Sequence, residues 1–258
     1  MLTVATWNVN SIKARLDHLV RWCESARPDV LALQETKTVD ANFPFDALSS
    51  LGYHAEISGQ PSYNGVAVLS RDVPLEVVTA IPGFADEQKR VLGVRLPQLF
   101  LLNLYVPNGS AVGSDKYAYK LAWLDALLDW LPKLLAAHPR LLVVGDFNVA
   151  PDDRDVHDPA AWRDQILCSE PERSRIQRLL ALGFKDTFRL FEAGDGCFSW
   201  WDYRAAGFRR NLGLRIDLCL ASDGLAGACR SSQIDREPRG WDKPSDHAPV
   251  VTCFDPLP

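Results

Sequence analysis

LLVVGDFN, residues 141–148, is apolar over its first four positions and polar at its end. Leu141 to Val144 show no alternation of apolar and polar residues, as expected of a β-strand covered on both faces. Asp146 and Asn148 then fall where that strand leaves its sheet. The same pattern recurs along the chain. LTVATWNV, DVLALQE, GVAVLS, VLGVRL, LFLLNLYV, RIDLCLA and VVTCF are short, apolar and bounded by turns, so each reads as a strand. Helical spacing appears in three places. Ile12, Leu16, Leu19, Val20 and Cys23 predict a helix over 11–25 with Ser11 as its N-cap. Leu121, Leu124, Leu127, Leu128, Leu131 and Leu135 predict a second over 115–137, which Pro132 is expected to kink or divide. A third is expected over 171–182. Many strands with few helices between them imply an α/β fold of two packed mixed β-sheets flanked by helices, a four-layer α/β/β/α sandwich.

The 258 residues are 47% hydrophobic and 24% charged, the balance of an ordinary globular protein. No linker or low-complexity segment divides them, so one domain over 1–258 is expected. The start, MLTVATWNVNSIKARL, lacks the pattern of a signal peptide, and no apolar stretch reaches membrane-spanning length. A cytoplasmic protein without membrane partners is the expectation. Cys23, Cys168, Cys197, Cys219, Cys229 and Cys253 form no CxxC pair and no zinc-ligand spacing with His, and are expected to be free thiols. A net charge of −5 argues against a non-specific nucleic-acid coat protein. It does not argue against a nuclease, whose metal-binding carboxylates make the total acidic.

Polar residues recur at strand ends. Asn8 ends LTVATWN, Glu35 ends DVLALQE, and Tyr105 and Asn108 end LFLLNLYVPN. Asp146 and Asn148 end LLVVGDFN, Asp217 opens IDLCLAS, and Asp246 and His247 precede the last strand in SDHAPVV. Glu35, Asp146, Asp246 and Asn148 are hard oxygen donors, a set that suits Mg²⁺ or Mn²⁺ and not zinc. His247 as imidazolium can meet a phosphate oxygen, and Asp217 can hold it charged and oriented. Asp146 can orient or deprotonate an attacking water. Tyr105 can donate to the phosphate or act as an alternative acid or base. Together these groups suit phosphodiester hydrolysis.

The stretch 203–216 carries Arg204, Arg209, Arg210 and Arg215 and no acidic residue, with Trp200, Trp201, Tyr203 and Phe208 among or beside them. Basic and aromatic residues so interleaved suit phosphate contact plus stacking at a distorted duplex. Lys116 and Lys120 are expected to add phosphate contacts.

WNVN at 7–10, LQE at 33–35, YVPNG at 105–109, GDFN at 145–148, GLRIDLCLAS at 213–222 and SDHAPV at 245–250 resemble the exonuclease III family of abasic-site endonucleases. DRDVHDP and FSWWDYR resemble its bacterial members. The resemblance implies a DNase I-like fold, a Mg²⁺ or Mn²⁺ cofactor and a substrate of double-stranded DNA with abasic sites or blocked 3′ ends. It further implies abasic endonuclease, 3′→5′ exonuclease and 3′-phosphatase or phosphodiesterase activities; a monomer is the default expectation. On this basis Glu35 is the principal metal ligand and Asn8 supports the metal and the catalytic Asp146. Asn148, Asp246 and His247 join the metal side, and Tyr105, Asp146, Asn148, Asp217 and His247 are catalytic. Asn108 contacts phosphate, Trp200 and Leu214 wall the pocket for a flipped-out sugar, and Asn211, Arg204, Arg209 and Arg210 serve the DNA surface. Asn10 stands where some members carry Asp. Leu167, in a loop that varies among relatives, is expected to narrow the mouth of the site and favour 3′-end trimming. The rival readings are another phosphodiesterase chemistry on the same metal and His core, a 3′-end processing enzyme with weak or no abasic cleavage, and an inactive DNA-binding relative.

Overall fold

The structure, a computed structural model, describes residues 1–257. Its strands in chain order are β1 (Leu2–Asn8), β2 (Val30–Gln34), β3 (His54–Ser58), β4 (Val66–Ser70), β5 (Glu76–Val78), β6 (Val91–Arg95), β7 (Phe100–Tyr105), β8 (Leu141–Asp146), β9 (Phe184–Asp186), β10 (Trp200–Trp201), β11 (Gly213–Leu214), β12 (Asp217–Ser222), β13 (Cys229–Ile234) and β14 (Val250–Phe254). The helices are α1 (Ile12–Ala26), α2 (Phe45–Ser49), α3 (Asp115–Ala137), α4 (Pro159–Trp162), α5 (Glu170–Ala181), α6 (Gly207–Arg210) and α7 (Asp223–Ala226). None of the described helices is long and apolar enough to cross a membrane.

One sheet runs β13-β14-β1-β2-β4-β3 and a second runs β5-β6-β7-β8-β12-β9. β1 pairs β2 in parallel and β7 pairs β8 in parallel, while the other neighbours are antiparallel, so both sheets are mixed. Successive side chains of a strand point to opposite faces. In β2, Val30 and Ala32 enter a core between the sheets with Val4, Val68, Leu101, Leu142 and Val144. Leu31 and Leu33 face the other way, under Ile12, Leu19, Trp22 and Cys23 of α1. In β8, Leu141 and Val143 face outward against Leu127 and Leu131 of α3 and Ile176 and Leu179 of α5. The result is the four-layer α/β/β/α sandwich, with the central strands buried on both faces.

The eight strands expected from sequence are all present. Those missed at the rims, β3, β5, β9 and β13, are the four outer strands of the two sheets. Two helix details differ from expectation. Ser11 does not cap α1 with its side chain; it lies at φ 88, and its N–H donates to the Glu35 carbonyl at 2.8 Å. Pro132 does not divide α3, which runs unbroken over 115–137.

Candidate active site

The parity that fills the inter-sheet core also places the polar residues. Asp146 continues the face of Leu142 and Val144, Asn8 that of Val4, Tyr105 that of Leu101, and Asp217 that of Cys219. Each strand therefore delivers one polar side chain into the gap between the sheets at the same end. Strand pairing sets their height: Asp146 sits opposite Tyr105 in one register and opposite Asp217 in the other. The last polar layer of the core prepares this end, with Gln34 Nε2 donating to Thr6 Oγ1 at 2.8 Å and to Asn103 Oδ1 at 2.7 Å.

Two hydrogen-bonded groups converge on Asp146, one bonded to it directly and the other facing it as an ion pair. On one side Asn8 Nδ2 donates to Glu35 Oε1 at 2.8 Å and to Asp146 Oδ2 at 2.9 Å. The Asn8 side-chain carbonyl oxygen accepts from the Asn10 N–H, so the amide orients both carboxylates. On the other side His247 Nδ1 lies 2.9 Å from Asp217 Oδ2, and His247 Nε2 lies 3.7 Å from Asp146 Oδ2. Because a carboxylate only accepts, Nδ1 carries the proton. Ser199 Oγ donates to the same Asp217 oxygen at 2.6 Å and accepts the N–H groups of Ile216 and Asp217.

The charges follow from burial and neighbours. Burial and the nearby Asp217 hold the Asp146 carboxyl above its ordinary range, with His247 opposing them. Burial would lower His247, but the carboxylates of Asp217 and Asp146 outweigh it and push its pKa well above the ordinary value. His247 is therefore an imidazolium near neutral pH. Burial, with the charges of Glu35 and Asp146, pushes the Tyr105 hydroxyl far above its usual value. Tyr105 is thus a hydrogen-bond donor, with the Arg90 guanidinium over its ring at 4.7 Å.

One ligand atom each of Glu35, Asp146 and His247 lie within 4.8 Å of one another. This cluster can hold a divalent cation, and its mainly oxygen donors fit a hard one. Glu35 is a non-glycine residue at φ 52, and the neighbouring Lys37, also at φ 52, reaches its Oε2 at 2.8 Å. Asp246 stands beside this group: its oxygens accept from Asn10 Nδ2 and Trp200 Nε1. Asn148, at φ 49, accepts from Asn108 Nδ2 at 3.1 Å and donates through Nδ2 to the Val106 carbonyl, while its N–H donates to Asp146.

Trp200 pairs Leu214 across β10 and β11, and Leu167 joins them in one apolar cluster beside His247, which Trp200 bridges. Arg204, Arg209 and Arg210 are exposed, with Arg204 paired to Asp202. Asn211 spends its side chain on the protein, accepting from Trp201 Nε1 and donating to the Gly196 carbonyl. Lys116 is exposed on a cavity of about 410 Å³ that Arg90 and Asn108 also line.

Two basic residues are not where the sequence suggested. Lys120 is fully buried, and its ammonium donates to the carbonyls of Asn108 and Asn148 and to Glu172. No donor is left for a phosphate. Arg215 is 1% exposed and paired with Asp155 and Asp186. Three residues at the site were not singled out by the sequence: Ser199, Lys37 and Arg90. Ser199 lies inside FSWWDYR, where the aromatics dominate. Lys37 follows Glu35 by two positions, and that spacing was the available signal.

The model of the endonuclease/exonuclease/phosphatase family matches residues 5–247. The chain belongs to that family. It is 36% identical to exodeoxyribonuclease III of Haemophilus influenzae, over 96% of this chain and 98% of the relative. Among solved structures, a Neisseria 3′ phosphatase bound to a product DNA hairpin superposes with a TM-score of 0.97 at 41% identity, covering 99% of this chain and all of the other. An abasic-site (AP) endonuclease from Archaeoglobus fulgidus superposes with a TM-score of 0.95 at 36% identity, covering 99% and 100%.

Proposed function

We propose that the chain is an exodeoxyribonuclease III-type DNA-repair phosphodiesterase, using Mg²⁺ or Mn²⁺ to hydrolyse the backbone of double-stranded DNA at abasic sites and 3′ ends. The observation that carries this reading is the convergence of Glu35, Asp146 and His247 beside the Trp200–Leu214 wall. The reading takes the chain as one domain over 1–258, acting as a cytoplasmic monomer.

Glu35 and Asp146 would hold the cation, which when bound supplies Lewis-acid neutralisation of the phosphate charge. Asp146, whose carboxyl burial keeps above its ordinary range, accepts the proton of the attacking water. His247, kept protonated by Asp217, meets a phosphate oxygen and stabilises the charge that develops there. Tyr105 donates to the phosphate, and Asn148 and Asn108 position it. Trp200, backed by the fully buried Leu214, receives the extruded sugar, which lacks a base and so costs less to unstack than an intact nucleotide.

Incision of an abasic duplex and of a 3′-phosphate end tests the reading, with Mg²⁺, with EDTA and with Asp146→Ala. Cleavage that needs the metal and is abolished in the variant is expected; no metal-dependent cleavage overturns it. A second reading, mainly 3′-end processing, is favoured by the packing of Leu167 on Trp200 and Leu214. The Neisseria proteins of 41% identity, described as a 3′ phosphatase and a 3′-5′ exonuclease, point the same way. Faster abasic incision relative to 3′-end removal in Leu167→Gly supports that second reading, and an unchanged ratio removes it.

A further inference from the structure

Lys120 and Glu172 are both fully buried and form an ion pair behind the site. Their bonds run to three separate loops. From α3, the Lys120 ammonium donates to the Asn108 carbonyl at 3.1 Å and the Asn148 carbonyl at 2.6 Å. From α5, Glu172 accepts the N–H groups of Leu167 and Ser169 at 3.1 Å each, and the Ser169 hydroxyl at 2.6 Å. Leu167 is held at its other end too, since its carbonyl accepts the Ala150 N–H at 2.8 Å. Close packing completes the circle: a Cβ on Gly109 would lie 2.9 Å from Ile166 and 3.1 Å from Lys120.

Leu167 is a buried branched residue at φ 73. L side chains rarely adopt that backbone, and it persists only where the surroundings fix it. The two hydrogen bonds on its amide and carbonyl do so. A buried ion pair is weak support for stability as such, because desolvation offsets most of the attraction. This one instead links specific parts of the site.

We propose that Lys120 and Glu172 are positioning residues: a buried clamp that fixes Asn108 and Asn148 on the phosphate side and Leu167 on the pocket side as one unit. The clamp's catalytic consequence rests on the phosphodiesterase reading above; its structural consequence does not. Glu172→Gln keeps the shape but replaces one of the two oxygens, which accept the Leu167 and Ser169 amides separately, with an NH2 donor, and Lys120→Met removes the bonds to both asparagine carbonyls.

The test measures steady-state cleavage of an abasic duplex, amide hydrogen exchange and thermal stability for wild type and four variants. Glu172→Gln and Lys120→Met are expected to lower kcat roughly 10- to 100-fold, as removal of a supporting hydrogen bond does at other sites, with KM within about threefold. Exchange at Leu167, Ser169 and Ala150 is expected to quicken. Asp186→Asn, which opens a different buried ion pair on Arg215, is the matched control; it should lose stability at unchanged kcat. Should the single variants fail to fold, Lys120→Met with Glu172→Leu removes both charges together and is expected to fold with the same fall in kcat. If the variants that fold keep kcat within twofold of wild type, or exchange at Leu167 is unchanged in them, the clamp is overturned. Wild type that does not cleave DNA overturns the phosphodiesterase reading, and the exchange measurement still decides the clamp.

Discussion

Asp217 shows how much one carboxylate can set. One of its oxygens takes both the His247 ring and the Ser199 hydroxyl, and its fully buried position keeps the pair out of water. Burial alone would lower the His247 pKa; the Asp217 charge, aided by Asp146, reverses that. Asp217→Asn removes the larger opposing charge, so the His247 pKa falls. Wild-type activity is not expected to fall as pH rises through neutrality: the imidazolium persists, and Asp146, whose carboxyl is held above its ordinary range, gives up its proton and becomes the base. In the variant it should fall over that range, which a pH–rate profile of kcat reads directly; a parallel profile would contradict the role of the pair. Ser199→Ala leaves the Ile216 and Asp217 N–H groups without an acceptor. Buried donors so orphaned cost about 1–3 kcal/mol, so a lower unfolding midpoint in urea is expected together with a reduced kcat. Glu35, Asp146, Asp217 and His247 were legible in the sequence because each ends or begins an apolar strand, where a charge has no structural excuse. Ser199 was not: a small hydroxyl beside three aromatics has no distinctive pattern, and its importance lies in a partner 18 residues away.

At the scale of elements, the central strands were legible and the outer ones were not, for one reason. A strand covered on both faces must be apolar throughout, as in β8 and β2. An outer strand such as β3 or β13 is half-exposed and mixed, and resembles a loop. The site survived this gap because its residues come from the inner strands. The β10–β11 ribbon, two residues a side, is too short to show an alternation and was not expected; family resemblance pointed only to Trp200 and Leu214 as pocket walls. Gly145, one residue before Asp146, is the tightest point of the site's framework. It lies at φ 134, and a Cβ there would meet the Leu104 carbonyl oxygen at 1.9 Å. The β7–β8 pairing that places Tyr105 opposite Asp146 therefore requires glycine. Gly145→Ala must either part the two strands or bend the chain away from its register. A destabilisation of about 3 kcal/mol or more in denaturant unfolding is expected, with cleavage reduced even in the folded fraction. Near wild-type stability would mean that the two strands can separate at little cost.

At the scale of the whole molecule, the charge of −5 conceals a division of labour among the basic residues. Sequence cannot separate a lysine facing solvent from one facing two carbonyls, so Lys120 and Arg215 read as surface cations although both are buried in ion pairs. Arg209 and Arg210 are different: they are exposed, and they follow the aromatic ribbon. If they meet the phosphates of a bound duplex, each neutralised phosphate releases condensed counterions. The slope of log K against log salt then shrinks in magnitude by about 0.9 for each phosphate left without its cation. Arg209→Ala and Arg210→Ala are each expected to reduce the slope by about 1 on that basis. They should weaken binding of intact and abasic duplex by the same factor, because phosphate contacts carry no information about the base. Arg204→Ala should change the slope less, since Asp202 already neutralises that guanidinium. Trp200→Ala should do the reverse, lowering the preference for the abasic duplex at an unchanged slope. Titrations by fluorescence anisotropy, with EDTA to prevent cleavage and at several salt concentrations, separate these outcomes. A slope untouched by both Arg209→Ala and Arg210→Ala would move the phosphate-binding surface elsewhere, and the exposed Lys116 and the half-buried Lys37 are then the cations to replace next.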